Sequence, residues 1–290
     1  MANIKGLKKR IKTTKSTFKI TSAMKLVSAA KLAKAQHKIL GLRPYAKELV
    51  KCVKTASALN QEYSHPYLKT DASNAQSYLL VISSDKGLCG GYNNQIVKRV
   101  RTFLAENSQE NFKVLFIGKK ARDVLAKDVN VGKTFTFEKI DPSINEIRNI
   151  CEELSTAFTT GEVGKIYLVY NQFISAINYN CQVETLLPMT SSEDEATSLQ
   201  SSFPYDFKYE PDANVLLDSM IPEVLFTSLY SAILDAIASE HGARMSAMEN
   251  ATKNCKDMIK KLTLKMNKLR QAAITTELIE VISGAESLNN

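Results

Sequence analysis

The glycine-rich segment SSDKGLCGGYNN at residues 83–94 comes closest to a site for chemistry. It follows an apolar run that predicts a strand and precedes a pattern that predicts a helix, and phosphate sites are built at such turns. Its three glycines do not match GxGxxG, no Walker sequence is present, and the next strand ends in Gly118 and two lysines rather than in an acid. We interpret the segment as a tight strand-to-helix turn, with a nucleotide site as the alternative.

Cys89 is the candidate nucleophile within this segment. A thiol at the start of a helix can have a lowered pKa, which makes it more reactive. The histidines that would have to act as its base, His65 and His241, lie far from it in the sequence. A structural role for Cys89 is therefore favoured, and the sequence predicts no catalytic residue.

The remaining ionisable residues give no pattern of a metal or cofactor site. The five cysteines include no CxxC pair, and the three histidines share no metal-ligand spacing. The acidic run at residues 193–195 lies in a Ser/Thr-rich stretch that is typical of a solvated loop. We expect no metal, no cofactor and no disulfide scaffold.

Composition places the chain among soluble proteins. Its 290 residues are 44% hydrophobic and 23% charged, which fits about two folded domains. No apolar run approaches the roughly 18 residues of a membrane span, and the charged N-terminus has no signal-peptide pattern. We expect a chain that is neither membrane-spanning nor secreted.

Positive charge is concentrated at the N-terminus, where residues 1–55 carry fifteen lysines and arginines against one acid, Glu48. Such a segment suits a nucleic acid, an anionic lipid surface, an acidic protein partner or plain solvation. Lysine dominates and aromatic residues are few, which weakens the nucleic-acid interpretation without excluding it.

The elements that position these residues are indicated by proline spacing and periodicity. Residues 1–43 and 223–290 are free of proline and are predicted as long helices. Between them, residues 78–215 alternate short apolar runs with helical patterns, which predicts βαβ units and a mainly parallel sheet. TFTFEKI is one predicted strand, and CQVETLLPM is predicted as the last.

Both terminal helices carry an apolar or small-residue seam for a partner helix, so we predict that they pair in a coiled coil. The seam of the C-terminal helix is predicted at Leu229, Ile233, Ala236, Ala243, Ala247, Ala251, Cys255, Met258, Leu262, Met266, Leu269 and Ala273. The seam of the N-terminal helix is predicted at Ile4, Leu7, Ile11 and Phe18, and then changes phase to Ile20, Met24 and Val27.

The predicted helices are longer than a domain of this size is wide, at roughly 80 and 100 Å for a rise of about 1.5 Å per residue. We therefore expect them to protrude. The end of the C-terminal helix, AITTELIEVISGAESL, is apolar with few charges. Since such a surface is poorly suited to water, we expect a protein partner around it.

Three blocks of this sequence resemble the gamma subunit of F-type ATP synthases. They are residues 11–36 (IKTTKSTFKITSAMKLVSAAKLAKAQ), residues 83–94, and the run from Ser239 to Gly284. The blocks occur in the family's order over essentially the whole chain, and YEPD at residues 209–212 also matches. The resemblance implies an α/β fold in which a long antiparallel coiled coil of the terminal helices joins a Rossmann-like globular domain.

The resemblance also implies a function and its partners. The family's coiled coil stands inside a hexamer of alpha and beta subunits, and its globular foot sits on the membrane ring of c subunits beside the epsilon subunit. The chain would be a non-catalytic rotor, peripheral to the cytoplasmic face of a bacterial inner membrane or, failing that, to an organellar inner membrane. The implied divisions are residues 1–60, 75–215 and 216–290.

Residues that match the family's contact positions can be carried over one by one. Hexamer contacts are implied at Met24, Lys25, Arg244, Gln271, Thr275 and Glu277, and contacts with the c ring or epsilon at Phe207, Tyr209 and Glu210. Two positions depart from the family or from helix propensity: Phe18 stands where a polar residue is usual, and Gly242 lies within a helix, where it costs up to about 1 kcal/mol.

Two other classes of function stay open on the residues alone. A nucleotide-binding enzyme of Rossmann type would bind phosphate at residues 83–94. A basic coiled-coil protein would bind duplex DNA with a salt-sensitive affinity.

Overall fold

The computed structural model describes residues 2–59, 63–68, 76–137, 142–189, 209–210 and 212–288. The chain divides into two compact units, one made of residues 1–29 with 244–290 and the other of residues 30–243. We call the first unit the coiled coil and the second the α/β domain. The predicted three-part division at residues 60, 75 and 215 stays a prediction.

Long helices begin and end the described chain, and strands alternate with shorter helices between them, as the sequence predicts. The helices are α1 (Ala2–Leu59), α2 (Tyr92–Glu106), α3 (Lys119–Leu125), α4 (Ile144–Thr159) and α5 (Ala213–Leu288). The strands are β1 (Gln76–Ile82), β2 (Phe112–Ile117), β3 (Val131–Phe135), β4 (Val163–Phe173) and β5 (Tyr179–Leu187). A short 3-10 turn covers Pro66–Leu68.

The strands of the described chain form one five-stranded sheet in the order β3-β2-β1-β4-β5. All neighbours are parallel except β4 and β5, which pair antiparallel. The mainly parallel sheet is confirmed, and CQVETLLPM does contribute its last strand. The strand order reverses between β1 and β4, so the carboxyl ends of these two strands flank the crevice where doubly wound folds bind ligands.

One strand is displaced from its predicted position. The run TFTFEKI covers residues 134–140, whereas β3 starts at Val131 and ends at Phe135. Residues 138–141 lie outside the described part of the chain. The strand starts early because Val131 already pairs with Val114 of β2, and Gly132 fits closely over Leu115.

Helices cover both faces of the sheet, which explains the uninterrupted apolar sequence of the inner strands. In β1, Leu80 and its alternate neighbours join the core formed with α4 and the 225–236 stretch of α5. Leu79 and Val81 point to the opposite face and join the core formed with α2 and α3. All three residues are completely buried.

Both long helices extend past the prolines that bound the predicted helical stretches. α1 continues through Pro44, and α5 starts at Ala213 and continues through Pro222. Both prolines are exposed, so the missing N–H group and the ring face solvent rather than the core.

α5 also satisfies the length and composition of a membrane-crossing helix between Ala213 and Ala285, but 61% of its most apolar stretch is buried inside the protein.

The coiled coil is antiparallel. Lys25 contacts Glu249 at 2.8 Å, the hydroxyls of Thr21 and Thr252 lie 2.8 Å apart, and Thr14 reaches the sulfur of Met258 at 3.9 Å. As the residue number falls along α1 it rises along α5, so the two helices run in opposite directions. The predicted pairing of the terminal helices is confirmed.

The seam of α1 keeps a single heptad phase, so the predicted change of phase was wrong. Thr21 and Ser28 are buried on the seam with Leu7 and Ile11. Ile20 and Val27, which the prediction placed there, are 59% and 55% exposed. On α5, Met258 is 52% exposed but contacts Thr14 of α1, so it lies at the edge of the seam.

Candidate functional site

Met24 and Lys25 lie side by side on α1 in the coiled coil, and both are half-buried. The Lys25 ammonium donates a hydrogen bond of 2.8 Å to the Glu249 carboxylate of α5. The Lys25 and Glu249 side chains each keep more than a third of their surface in contact with solvent. The Lys25–Glu249 ion pair is therefore accessible to another chain.

Arg244 is placed differently from the other predicted contact residues. Only 8% of this residue is exposed. Little of its surface is therefore accessible to another chain, and its predicted contact role stays a prediction.

The distal part of α5 has no second helix beside it among the residues that the structure describes. Thr14 of α1 lies opposite Met258, and since Ala2 is twelve residues before Thr14, α1 begins beside about residue 270 of α5. Gln271, Thr275 and Glu277 lie just beyond that point, and all are exposed. The Thr275 hydroxyl donates to the Gln271 carbonyl at 2.9 Å, as threonine commonly does inside a helix.

Large apolar side chains accompany these polar residues in what we call the distal segment, residues 271–285. Its exposed apolar residues are Ile274 (49%), Leu278 (57%), Ile279 (58%), Val281 (69%) and Ile282 (61%). Ile274, Leu278, Val281 and Ile282 recur at helical spacing and so share one face. The segment thus presents a continuous apolar stripe flanked by the three predicted polar contacts.

The predicted c-ring or epsilon contacts lie at the other end of α5. Tyr209 is half-buried and Glu210 is exposed, immediately before the start of the helix at Ala213. Phe207 falls outside the described residues.

The glycine-rich segment forms a closed turn whose polar groups bond to one another. The Asn93 side chain accepts from the Ser84 backbone N–H at 3.2 Å and donates to the Ser84 hydroxyl at 2.8 Å and to the Cys89 sulfur at 3.2 Å. Cys89 is only 2% exposed, which leaves a substrate no access to its thiol. Leu88 and Gly90 adopt left-handed conformations, with φ of 63° and 59°, which explains the glycine at residue 90.

The crevice at the carboxyl ends of β1 and β4 contains helix α5. The Tyr92 hydroxyl donates to the Ala236 carbonyl at 3.2 Å, and the Ser239 hydroxyl donates to the Asn171 carbonyl at 3.0 Å. Burial raises the pKa of the Tyr92 hydroxyl well above its ordinary value, so it stays a donor. A protein helix therefore occupies the place where a Rossmann fold holds its nucleotide.

Gly242 is explained by the same helix. A Cβ atom at this position would lie 2.9 Å from the Ala176 carbonyl oxygen in the loop between β4 and β5. Glycine is thus required by a close approach of two backbones, a contact that local sequence does not reveal.

Known proteins resemble this chain over nearly its whole length. A family model described as ATP synthase matches residues 3–288. The ATP synthase gamma chain of Anaeromyxobacter sp. (strain Fw109-5) is 40% identical over 294 residues, which cover 99% of this chain and 100% of that relative. The gamma chain of Flavobacterium johnsoniae is 39% identical over 292 residues and 100% of both chains. The chain belongs to the ATP synthase gamma chain family.

Solved structures agree with gamma chain membership. The central stalk of the Tetrahymena thermophila mitochondrial ATP synthase is 26% identical with a TM-score of 0.60, covering 80% of this chain and 99% of the other. A chain of the Euglena gracilis mitochondrial ATP synthase has a TM-score of 0.67 at 18% identity, over 99% of this chain and 95% of the other, which shows the shared fold. As a gamma chain, the protein is a central-stalk subunit of an F-type ATP synthase.

One feature of this gamma chain is absent from the sequence-based predictions. The Arg43 guanidinium of α1 donates to the Asp235 carboxylate of α5 at 3.0 Å and to the Phe173 carbonyl at the end of β4 at 2.9 Å. The Asp235 side chain is only 5% exposed. A lone acid in the apolar stretch LYSAILDAIA was the available signal, but its partner lies 192 residues away.

Proposed function

We propose that this gamma chain couples rotation of the membrane c ring, driven by ion flow, to conformational changes at the catalytic sites of the alpha/beta hexamer. Rotation in one direction drives ATP synthesis, and hydrolysis turns the chain the other way and pumps protons. The observation that carries the proposal is the distal segment of α5, an apolar stripe on a single helix that extends past the start of α1.

An exposed apolar stripe of this kind needs a protein environment. Isolated apolar side chains are common on protein surfaces, whereas a contiguous stripe marks an interaction site. The five large apolar residues of the distal segment are between 49% and 69% exposed. We propose that the hexamer surrounds this stripe, and that Gln271, Thr275 and Glu277 contact it there.

The remaining predicted contacts divide between two groups of partners. Met24, Lys25 and Arg244 are proposed to contact the hexamer as well, and the lysine-rich start of α1 suits acidic segments of the beta subunits. Phe207, Tyr209 and Glu210 are proposed to contact the c ring and the epsilon subunit.

The proposed mechanism needs no bond chemistry in this chain. A ligand or partner shifts a conformational equilibrium only by the difference in its contacts with the two states. An asymmetric pair of helices makes different contacts with each of three catalytic sites, so its angle biases which site is open. We propose that catalysis belongs to the beta subunits, and that this chain acts without cofactor, metal or nucleic acid.

The named relatives are bacterial gamma chains. We propose a peripheral location on the cytoplasmic face of the bacterial inner membrane, held through the c ring, with the matrix or stromal side of an organellar inner membrane as the alternative.

Co-purification tests the proposal. The chain is expressed with the alpha and beta subunits of its source, and ATPase activity is measured on the gel-filtered complex, with and without residues 271–290. We expect one copy per hexamer and a less stable or slower complex after truncation. As a matched control, Lys256→Ser and Lys260→Ser alter exposed positions before the distal segment and should leave the complex unchanged.

Two further assays separate the other classes of function. Equilibrium dialysis of the isolated chain with ATP and NAD would detect a Rossmann-type site, and titration with duplex DNA at two salt concentrations would detect nucleic-acid binding. We expect neither ligand to bind. Elution of the chain alone, from hexamer partners that do accept a known rotor, would contradict the proposal.

A further inference from the structure

A band of positive charge covers the coiled coil between the Lys25–Glu249 ion pair and the distal segment. Residues 5–19 of α1 and 253–270 of α5 hold fourteen lysines and arginines and a single acid, Asp257. All fourteen cations are exposed. We call this set the basic belt: Lys5, Lys8, Lys9, Arg10, Lys12, Lys15, Lys19, Lys253, Lys256, Lys260, Lys261, Lys265, Lys268 and Arg270.

Cations of the two helices lie at the same heights along the coiled coil. Thr14 of α1 faces Met258 of α5, so Lys8 lies level with about residue 264, and Lys265 is only one residue, or about 1.5 Å, from that level. Paired helices lie about 8–10 Å apart, which is comparable with the Debye length of about 10 Å at 0.1 M salt. Like charges on the two helices therefore repel each other, most strongly at low salt.

Apolar contacts along this part of the seam are few. Among the described residues of α1 before residue 30, the large apolar residues that are buried are Leu7 and Ile11. On α5, Met248 is 5% exposed, and no described residue after it is buried. Because most helices in proteins depend on packing for their stability, the repulsion of the belt acts against a small stabilising contribution.

The composition of the belt favours an acidic protein segment as its partner. Its cations are lysines except for Arg10 and Arg270, and the one aromatic residue within its two stretches is Phe18. Nucleic-acid interfaces instead rely on arginine and on aromatic residues that stack on bases. Exposed side chains of paired helices are turned away from the seam, so the cations lie on both sides of the coiled coil, and a flat lipid surface would meet only part of them.

We propose that the basic belt binds acidic protein segments and that this binding tightens the pairing of α1 with α5. In the free chain, repulsion among the cations keeps the two helices weakly paired. A partner that supplies carboxylates removes the repulsion and stabilises the paired state, because it binds that state better.

The proposal rests on the rotor function proposed above, in which the hexamer supplies the acidic segments. In the assembled complex, the loss of a lysine removes an attraction to the partner and also a repulsion within the belt. These two effects oppose each other, so a change of two lysines, such as Lys256 and Lys260 in the control above, has little effect on the complex. The free chain is therefore the form in which the inference is tested.

Hydrogen exchange followed by mass spectrometry on the isolated full-length chain provides the test, with the amides of β1 and β2 as an internal reference. Samples at low salt are compared with samples that contain poly-L-glutamate or about 0.5 M NaCl. We expect either agent to slow exchange in residues 5–19 and 253–270 by about threefold or more, and to leave the sheet unchanged. Slowing by only one of the two agents, or by neither, would overturn the inference.

Two further samples identify the partner. Duplex DNA and phosphatidylglycerol vesicles are added at the same concentration of negative charge as poly-L-glutamate. We expect both to slow exchange less than poly-L-glutamate does. An equal or larger effect of DNA or of the vesicles would overturn the assignment of the belt to an acidic protein partner.

A variant separates repulsion from an ordinary structural contact. Lys5→Gln/Lys8→Gln/Lys12→Gln removes three cations of the belt and retains good helix formers. We expect it to exchange more slowly than wild type in the belt at low salt and to respond less to poly-L-glutamate. Faster exchange, as the loss of a stabilising contact would give, would overturn the inference.

The matched control removes the same number of charges from the α/β domain. Lys47→Gln/Lys51→Gln/Lys98→Gln changes three exposed lysines there and should keep wild-type exchange in the belt. If it also slows exchange in the belt, net charge rather than the belt is responsible and the inference fails. Failure of the chain to assemble with the hexamer subunits would instead contradict the proposed function, and these measurements on the free chain would stand.

Discussion

The α/β domain and the coiled coil are built on opposite packing rules. In the domain, large residues such as Leu79, Leu80 and Val81 are completely buried on both faces of a sheet. In the coiled coil, the buried seam includes Thr21 and Ser28, while Ile20 and Val27 are exposed. The domain is thus specified by filling a volume with large side chains, whereas the coiled coil buries small polar residues on its seam and leaves large apolar ones exposed.

The sharpest test of this difference is a cavity in each unit. Leu80→Ala removes a completely buried side chain between the sheet and its helices, and we expect it to lower the free energy of unfolding by about 2–5 kcal/mol. Ile11→Ala, on the coiled-coil seam, should cost about 2 kcal/mol or less because two helices can close on the gap. Urea unfolding followed by circular dichroism, with hydrogen exchange in β1, measures the free energy of unfolding of both variants. Equal losses of stability would contradict the difference in packing between the two units.

A smaller effect is expected where backbones meet within the domain. Gly242→Ala places a methyl group 2.9 Å from the Ala176 carbonyl oxygen, and this overpacking should destabilise the domain by about 1–3 kcal/mol despite the better helix propensity of alanine. Gly41→Ala is the control, since nothing lies within 4 Å of the added Cβ. It should stabilise by up to about 1 kcal/mol. Thermal unfolding gives both signs, and stabilisation by both variants would show that the close approach relaxes.

The polar seam of the coiled coil predicts a smaller and non-additive effect. Thr21→Val leaves the Thr252 hydroxyl without its 2.8 Å partner, so we expect a loss of about 0.5–1.5 kcal/mol. The Thr21→Val/Thr252→Val variant replaces both hydroxyls by methyl groups and should lie closer to wild type than the sum of the single changes. Additive losses in this double-mutant cycle would mean that the two hydroxyls do not interact.

The ion pair between Glu110 and Lys165, at the amino end of the sheet, is half-exposed. It makes the stability of the α/β domain depend on pH. Burial raises the pKa of Glu110, but its hydrogen bonds with Lys165 and Ser77 lower it by more, so the net shift is downward. A carboxyl with a depressed folded-state pKa stabilises the protein above its unfolded pKa of about 4.3, and this contribution is lost as pH falls through the folded value. Wild type should exceed Glu110→Gln in stability at pH 7, and the difference should vanish in acid. A difference independent of pH would exclude the ionic origin.

The sequence predicts the elements well because their signals are local. Apolar runs such as YLLVI and KVLFI predict the buried strands β1 and β2 directly. β3 is displaced because its start is decided by pairing with β2 rather than by its own composition. Local pattern therefore identifies a strand, and tertiary contacts fix its ends.

The candidate site is predictable only in part, for physical reasons. Ile20 and Val27 are apolar at helical spacing, and periodicity alone does not distinguish a side chain that is buried in the coiled coil from one that is exposed. The necessity of Gly242 depends on a loop 66 residues earlier, and the partner of Arg43 lies 192 residues away. The apolar composition of AITTELIEVISGAESL indicates the distal segment from the sequence alone, whereas Gln271, Thr275 and Glu277 are implied only by the family resemblance.

The contact of α5 with the sheet has a consequence for how the protein is made. One face of the sheet is covered partly by the stretch of α5 from Leu225 to Ala236, which leaves the ribosome long after β1 to β5. During synthesis at about 5–20 residues per second, the part of that face beside α4 waits several seconds, apolar and exposed, for its last helix. The domain completes its core only when most of the chain has been translated, so its folding in the cell is late and is a natural point for chaperone assistance.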